Sequence, residues 1–322
     1  MTQPESSTPT NDTPTIGVFD SGFGGLTVLR ALLARMPRAR FVFLGDTARL
    51  PYGSKSRRTI ARYAAESAQF LVREQRAEFL VIACNTASAL ALDAIQAAVP
   101  VPVLGVIQPG AAAARAASRT GEVLVIATDA TVQSHAYSAA CHALGLRTLE
   151  KACPLLVPLV EEGWTTDLYT STRMGAPGAS PLGTRESDTS LQIDAPQVAV
   201  TLEVIRIYLD ELLADAKAHG LQPDTLVLGC THYPLLRPLI QKALPPGIRV
   251  IDSADAAAEA AVHLFNGRAA PLASDSPSPE STAGAPAHIR CFATDSVEKF
   301  QRLGSRFLGH PVGQVGLVDL GG

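Results

Sequence analysis

The sequence predicts an α/β fold with mostly parallel sheets, and three observations predict it. Short apolar runs ending in a polar turn alternate with stretches of helical periodicity, the pattern of strand and helix units. Two such runs, "LVIACNT" at residues 80 to 86 and "LVLGCTH" at 226 to 232, each carry a cysteine directly after the apolar residues. The chain has 322 residues, 47% of them hydrophobic, and a mean hydropathy of +0.16, enough for two domains with sizeable cores.

Residues 1 to 14 are polar and rich in Pro, Thr and Ser, the composition of a disordered tail. "TIGVFD" is then a strand ending in Asp20, "SGFGG" a glycine turn, and "LTVLRALLARM" a helix with Leu26, Leu29, Leu32, Leu33 and Met36 on one face. The unit recurs as "RFVFLGD" with a helix over about 57 to 75, as "EFLVIACN" with the helix "TASALALDAIQAAV", and as "EVLVIATD" with the helix "ATVQSHAYSAACHAL". After "LVLGCTH", Pro234 suits the first turn of the helix "LLRPLIQKAL". Strands joined through helices run parallel, because each crossover returns the chain to the same edge. Two stretches break the rhythm, 165 to 196 and 269 to 287; both are rich in Ser, Thr, Gly and Pro and read as flexible insertions.

Cys84 and Cys230 align within a weak internal repeat, in which "GVFDSG" and "LVIATD" each precede one of them. Two similar halves and chance identity both remain open on these short matches. In the first case the carboxyl ends of both strand sets would meet at one cleft, where open α/β sheets bind ligands.

The bulk properties exclude several function classes. Thirty acidic and 27 basic side chains give a formal charge of −3 and an isoelectric point near 6.2, with no basic block to track phosphates, so nucleic acid is not the expected primary partner. No apolar run reaches the roughly 18 residues of a membrane span and no signal-peptide core opens the chain, so a cytoplasmic location is expected. Five widely spaced cysteines without a CxxC pair support neither a disulfide framework nor a metal site. "GFGGLT" is not the dinucleotide pattern GxGxxG and there is no P-loop.

Cys84 and Cys230 each follow a strand and precede a helix, where backbone N–H groups and the helix dipole favour thiolate. One such cysteine alone reads as an inert buried side chain. Two in matching contexts suggest paired chemistry. A cysteine hydrolase needs a single nucleophile, whereas racemisation at a carbon acid needs a base on one face and an acid on the other; a thiolate and a thiol from opposing domains fit. Asp20 could meet an ammonium group or poise a neighbouring thiol, Ser21 a carboxylate, and Asn85, Thr86 and Thr231 offer neutral donors. His232 could govern the Cys230 proton or bind a carboxylate.

These residues resemble the glutamate racemases. "GVFDSGFGGLTVLRAL", "GDTARLPYG", "VIACNTASA", "GVIQPGA", "ACPLLVPLVE" and "LVLGCTHYPLL" follow that family's motifs in order, from about residue 15 to 310. The resemblance implies cofactor-independent two-base interconversion of L- and D-glutamate, supplying D-glutamate for peptidoglycan. It implies two pseudo-symmetric α/β domains with the active site between them: 15–107 with 252–322 on the Cys84 side, and 108–251 on the Cys230 side. It puts the acid/base roles on Cys84, for the D-enantiomer, and Cys230, for the L-enantiomer, assisted by Asp20 and His232 respectively. Substrate contacts fall on Asp20, Ser21, Tyr52, Gly53, Asn85, Thr86, Thr128, Thr231 and His232, and Glu161 stands near the cleft. A homodimer is expected, although the insertions leave its mode open. The rivals are a racemase of aspartate or a related compound, against which His232 speaks; a non-catalytic member that restrains DNA gyrase; and a single-cysteine hydrolase.

Overall fold

The structure, a computed structural model, describes residues 14–165, 195–266 and 288–321. The N-terminal tail before Pro14, most of the 165–196 insertion and the 269–287 segment lie outside the described residues. Strand β1 (Thr15–Asp20), helix α1 (Leu26–Arg35), β2 (Arg40–Gly45), α2 (Arg57–Arg73), β3 (Phe79–Ile82), α3 (Asn85–Leu90), α4 (Leu92–Ala98) and β4 (Val103–Gly105) come first. They are followed by α5 (Ile107–Ala117), β5 (Glu122–Ala127), α6 (Asp129–Ser134), α7 (Ala136–Ala143), β6 (Arg147–Ala152), α8 (Leu156–Glu161), α9 (Pro196–Ala218), β7 (Thr225–Gly229), α10 (Arg237–Ala243) and β8 (Arg249–Asp252). The chain ends through α11 (Ser253–Asn266), β9 (Ile289–Ala293), α12 (Val297–Leu308) and β10 (Val315–Leu317).

Among the described residues every strand pairing is parallel, and the strands form two sheets, ordered β10-β9-β2-β1-β3-β4 and β6-β5-β7-β8. The order β2-β1-β3-β4 in the first sheet recurs as β6-β5-β7-β8 in the second, which settles the open question of the repeat in favour of two similar halves. In each half the chain leaves the first strand to one side and returns on the other. A crevice therefore opens between the carboxyl ends of β1 and β3, and again between those of β5 and β7. Cys84 follows β3 and Cys230 follows β7.

Alternation along the strands fills both faces of each sheet. Ile16, Val18, Phe41, Phe43 and Val81 join Leu124, Ile126, Leu226 and Leu228 in one continuous core, with Leu26, Leu29 and Leu32 of α1 and Leu202, Ile205, Leu209 and Leu212 of α9. Phe19, Val42, Leu44, Leu80 and Ile82 face the other way, onto Ile60, Ala64, Ala68 and Leu71 of α2. The second sheet's far face, Val123, Val125 and Val227, packs on α5 and on Tyr137, Ala140 and Cys141 of α7. Each fully buried side chain of this kind contributes about 1.5–3 kcal/mol, which fixes the strand ends carrying the polar turns.

Two helices read as continuous are broken. Ala91 (φ −132°, ψ 0°) separates α3 from α4, and His135 in the left-handed region (φ 55°, ψ 22°) separates α6 from α7. Neither break carries a Gly or Pro, and the apolar periodicity runs through it, so side-chain pattern alone does not register it. Pro234 lies not in the first turn of an α-helix but in a 3₁₀ turn, Tyr233–Leu236, that leads into α10.

Candidate active site

The turn after β1 and the turn after β3 are built against each other. Asp20 closes β1 with its carboxylate buried; its Oδ2 accepts from the Gly22 N–H at 2.9 Å, while its Oδ1 has no hydrogen-bond partner among the described residues. Burial raises the Asp20 pKa above its ordinary value, against the opposing charge of His232 and the Gly22 and Gly25 amides. Cys84 is the N-cap of α3, and its sulfur accepts from the Ala87 N–H at 3.4 Å and lies 3.4 Å from Ser21 Oγ. The helix terminus was expected to favour thiolate here. Burial outweighs it: loss of solvent, reinforced by the nearby Asp20 charge, pushes the thiol up to about 12 despite the bonds from Ser21 and Ala87.

The second turn is chemically different. His232 Nδ1 sits 3.9 Å from Cys230 Sγ and Nε2 sits 3.3 Å from Glu161 Oε1, with the ring edge-on to Phe307 at 5.0 Å. Burial alone would depress the imidazole pKa, but its bonds to the Cys230 sulfur and the Glu161 carboxylate override that and push it up to about 10. Burial would likewise raise Glu161, yet His232 and Lys299, whose Nζ is 3.7 Å away, hold that carboxyl below its ordinary value. His232 thus bridges the Cys230 sulfur and the Glu161 carboxylate, a setting that favours its protonated form.

The glycine turn lets the halves meet. A Cβ on Gly24 would fall 2.6 Å from His232 Nδ1 and still closer to the Thr231 hydroxyl, so only glycine fits there. Thr27 Oγ1 donates to the Thr231 carbonyl at 3.2 Å, and the hydroxyls of Thr86, Thr128 and Thr131 form a cluster across the same seam, 2.9–3.3 Å apart.

The result is one cavity of about 240 Å³. That is below the roughly 300 Å³ at which drug-sized pockets begin and suits a small molecule. Ser21, Tyr52, Gly53, Cys84, Asn85, Thr86, Thr128, Glu161, Cys230, Thr231 and His232 all line it. Asp20 does not; it sits behind the wall, within electrostatic reach of Cys84 and His232. Tyr52 is braced from behind, its hydroxyl donating to Asp46 Oδ2 at 2.5 Å, and Asp46 is gripped by Arg49 Nε at 2.8 Å. Arg49 also reaches Glu66. Asn85 is buried, with its Oδ1 accepting from the Tyr137 hydroxyl at 2.7 Å and its Nδ2 without a partner among the described residues.

Sequence reasoning gave no role to Asp46, although it quoted "GDTARLPYG". It also missed the apolar lining by Leu50, Pro154, Val157 and Pro158. The prolines of "ACPLLVPLVE" were the available signal, since Pro in a short turn fixes a wall without demanding hydrogen bonds. Cys141, Cys153 and Cys291 are buried away from the cavity as free thiols.

Chemically, two thiol groups from different halves border one small space, one beside a carboxylate and one beside an imidazolium. Neutral donors surround them. Such a pair can remove a proton and deliver another without bonding to each other.

Comparison with known proteins gives a consistent picture. A family model described as Asp/Glu/Hydantoin racemase matches residues 25–167. The chain is 49% identical to a glutamate racemase of Koribacter versatilis (strain Ellin345), covering 96% of this chain and 98% of that one. It is 41% identical to a glutamate racemase of Syntrophus aciditrophicus (strain SB), covering 95% and 96%. Among solved structures it is similar to a glutamate racemase isoform from Bacillus anthracis, with TM-score 0.74, 33% identity and 95% and 98% coverage. It is also similar to a glutamate racemase from Francisella tularensis solved with D-glutamate, with TM-score 0.73, 31% identity and 96% and 98% coverage.

Proposed function

Because the chain belongs to the glutamate racemases of the Asp/Glu/hydantoin racemase family, we infer that it interconverts L- and D-glutamate by a two-base route through Cys84 and Cys230. One observation carries this most directly: two cysteines, each at the carboxyl end of a strand of a different sheet, border the same small cavity. The Francisella relative holds D-glutamate, which supports glutamate as the substrate.

With L-glutamate bound, the Cys230 sulfur, as a thiolate beside the His232 imidazolium, takes the α-proton. The Cα–H bond breaks and an S–H bond forms at Cys230. The Cys84 thiol, kept protonated by burial and by Asp20, gives its proton to the opposite face of the α-carbon. D-glutamate leaves with Cys84 as thiolate and Cys230 as thiol, which is the starting state for the reverse reaction. Thiols suit this work because their ordinary pKa is closer to that of a carbon acid than a carboxylate's. Ser21, Asn85, Thr86 and Thr231 orient the substrate carboxylates and disperse charge developing on the α-carboxylate in a water-poor space. Tyr52, Gly53 and Thr128 complete the binding wall. Asp20 tunes Cys84 from behind the cavity wall, and Glu161 acts through His232.

No cofactor takes part in this route. The protein works in the cytoplasm as a homodimer, and its D-glutamate feeds peptidoglycan synthesis. Sedimentation equilibrium at micromolar protein checks the dimer; a monomer at all concentrations contradicts it. Among the described residues no helix is long and apolar enough to cross a membrane.

Turnover in D₂O followed by proton NMR tests the mechanism. With L-glutamate, the first D-glutamate formed should carry solvent deuterium at the α-carbon while the remaining substrate keeps its proton, because base and acid are different sulfurs. Turnover of aspartate with none of glutamate would overturn the substrate assignment. Early return of substrate-derived protons to product would overturn the two-base route.

A further inference from the structure

We infer that Tyr137 is a positioning residue that pins the Asn85 amide so that its NH₂ group, and not its carbonyl, faces the substrate. This deepens the proposed function and rests on the reading of Asn85 as a carboxylate donor. The two faces of an asparagine amide are nearly equal in shape, so its neighbours alone decide which one is presented. Here the Tyr137 hydroxyl donates to Asn85 Oδ1 at 2.7 Å. The opposite atom, Nδ2, is buried, lacks a partner among the described residues, and belongs to a side chain that borders the cavity. A flipped amide would aim lone pairs at an anionic ligand and turn its NH₂ group to the tyrosine oxygen, so the O–H would lose its carbonyl acceptor.

Tyr137 is suited to hold this choice. It is fully buried on α7 and reaches from the helical layer of the second sheet to α3 of the first half. Its oxygen has the buried Ser253 side chain as a further polar neighbour, and desolvation keeps the phenol protonated at any working pH, so it remains a donor. Its ring is clamped by two glycines: a Cβ on Gly110 or on Gly229 would lie 3.1 Å or 3.0 Å from a ring carbon. Gly229 directly precedes Cys230 and Asn85 directly follows Cys84, so one rigid side chain ties together the turns that carry both sulfurs.

Tyr137→Phe keeps the clamped ring and removes only the O–H. The KM for both glutamate enantiomers should rise about 3- to 10-fold, the range set by one neutral hydrogen bond, with kcat changing less than about two-fold and the unfolding midpoint nearly unmoved. Asn85→Ala should raise KM by itself, and adding Tyr137→Phe to it should change KM no further, since both act through one amide. An unchanged KM in Tyr137→Phe, or losses that multiply in the double variant, overturns the inference. Should Tyr137→Phe fail to fold, the Asn85 side-chain NH₂ resonance of the ¹⁵N-labelled wild type decides, assigned by its disappearance in Asn85→Ala. It must shift on saturation with D-glutamate, and a resonance that stays in place overturns the donor assignment. Wild-type turnover on the same preparations separates the two levels. Inactivity toward glutamate removes the reading of the site, whereas an active enzyme with an unmoved KM removes the role of Tyr137 alone.

Discussion

At the scale of single residues, the two sulfurs are chemically similar and their neighbours are not. His232 gains two acidic partners on folding, so its pKa lies above the ordinary 6.5. The stabilisation from that pairing is fully present below about pH 6.5 and is lost as the pH rises through about 10. Glu161→Gln removes one partner, so the His232 pKa falls. The alkaline limb of kcat/KM for L-glutamate should then move to lower pH, and a limb that stays put contradicts the pairing. Cys84, Asn85 and Thr86 were legible in the sequence because they are contiguous in one strand-end turn, as are Cys230, Thr231 and His232. Tyr137 was not. It reaches the site from α7 through packing against Gly110 and Gly229, and no local pattern in "SHAYSAAC" signals where its hydroxyl points. The ionisation of Cys84 was misjudged for a related reason: a turn shows its N–H groups in sequence, but the burial that outweighs them is tertiary.

At the scale of elements, the site depends on turns short enough for two halves to touch. Gly24→Ala drives a methyl into Thr231 and His232. It should cost about 1–3 kcal/mol of stability and lower kcat/KM by about ten-fold or more, as His232 loses its register with Cys230. Thermal denaturation and steady-state rates check this, and wild-type values for both would show that the turn yields without consequence. Strands β1, β2, β3, β5 and β7 were readable because a strand buried on both faces is a continuous apolar run. Helix α9 was not recognised, although it spans 23 residues and supplies Leu202, Ile205, Leu209 and Leu212 to the core. Its outer face carries half-exposed Val200 and Ile207, which blurs the helical stripe, and it begins where the Ser/Thr/Pro-rich stretch ends.

At the scale of the whole molecule, the repeated strand order explains why a one-site enzyme needs two sheets: each half contributes one sulfur at its own switch point. A ligand that touches both halves should stabilise them together. D-glutamate at about 100 times its Kd adds about 2.7 kcal/mol and should raise a single unfolding transition by a few degrees. Two transitions of which only one moves would place the ligand on one half. The repeat itself was faintly visible in "LVIACNT" and "LVLGCTH", but seven-residue similarity could not separate it from chance, whereas sheet order could. The most direct test of the central claim is circular dichroism of L-glutamate and, separately, D-glutamate incubated with the wild type, Cys84→Ala and Cys230→Ala, without added cofactor. The wild type should bring both enantiomers to zero ellipticity, and each variant should lose racemisation by at least about 10²-fold, as removal of a general acid or base does. A variant that still racemises at the wild-type rate would contradict the assignment of one acid and one base to these two cysteines.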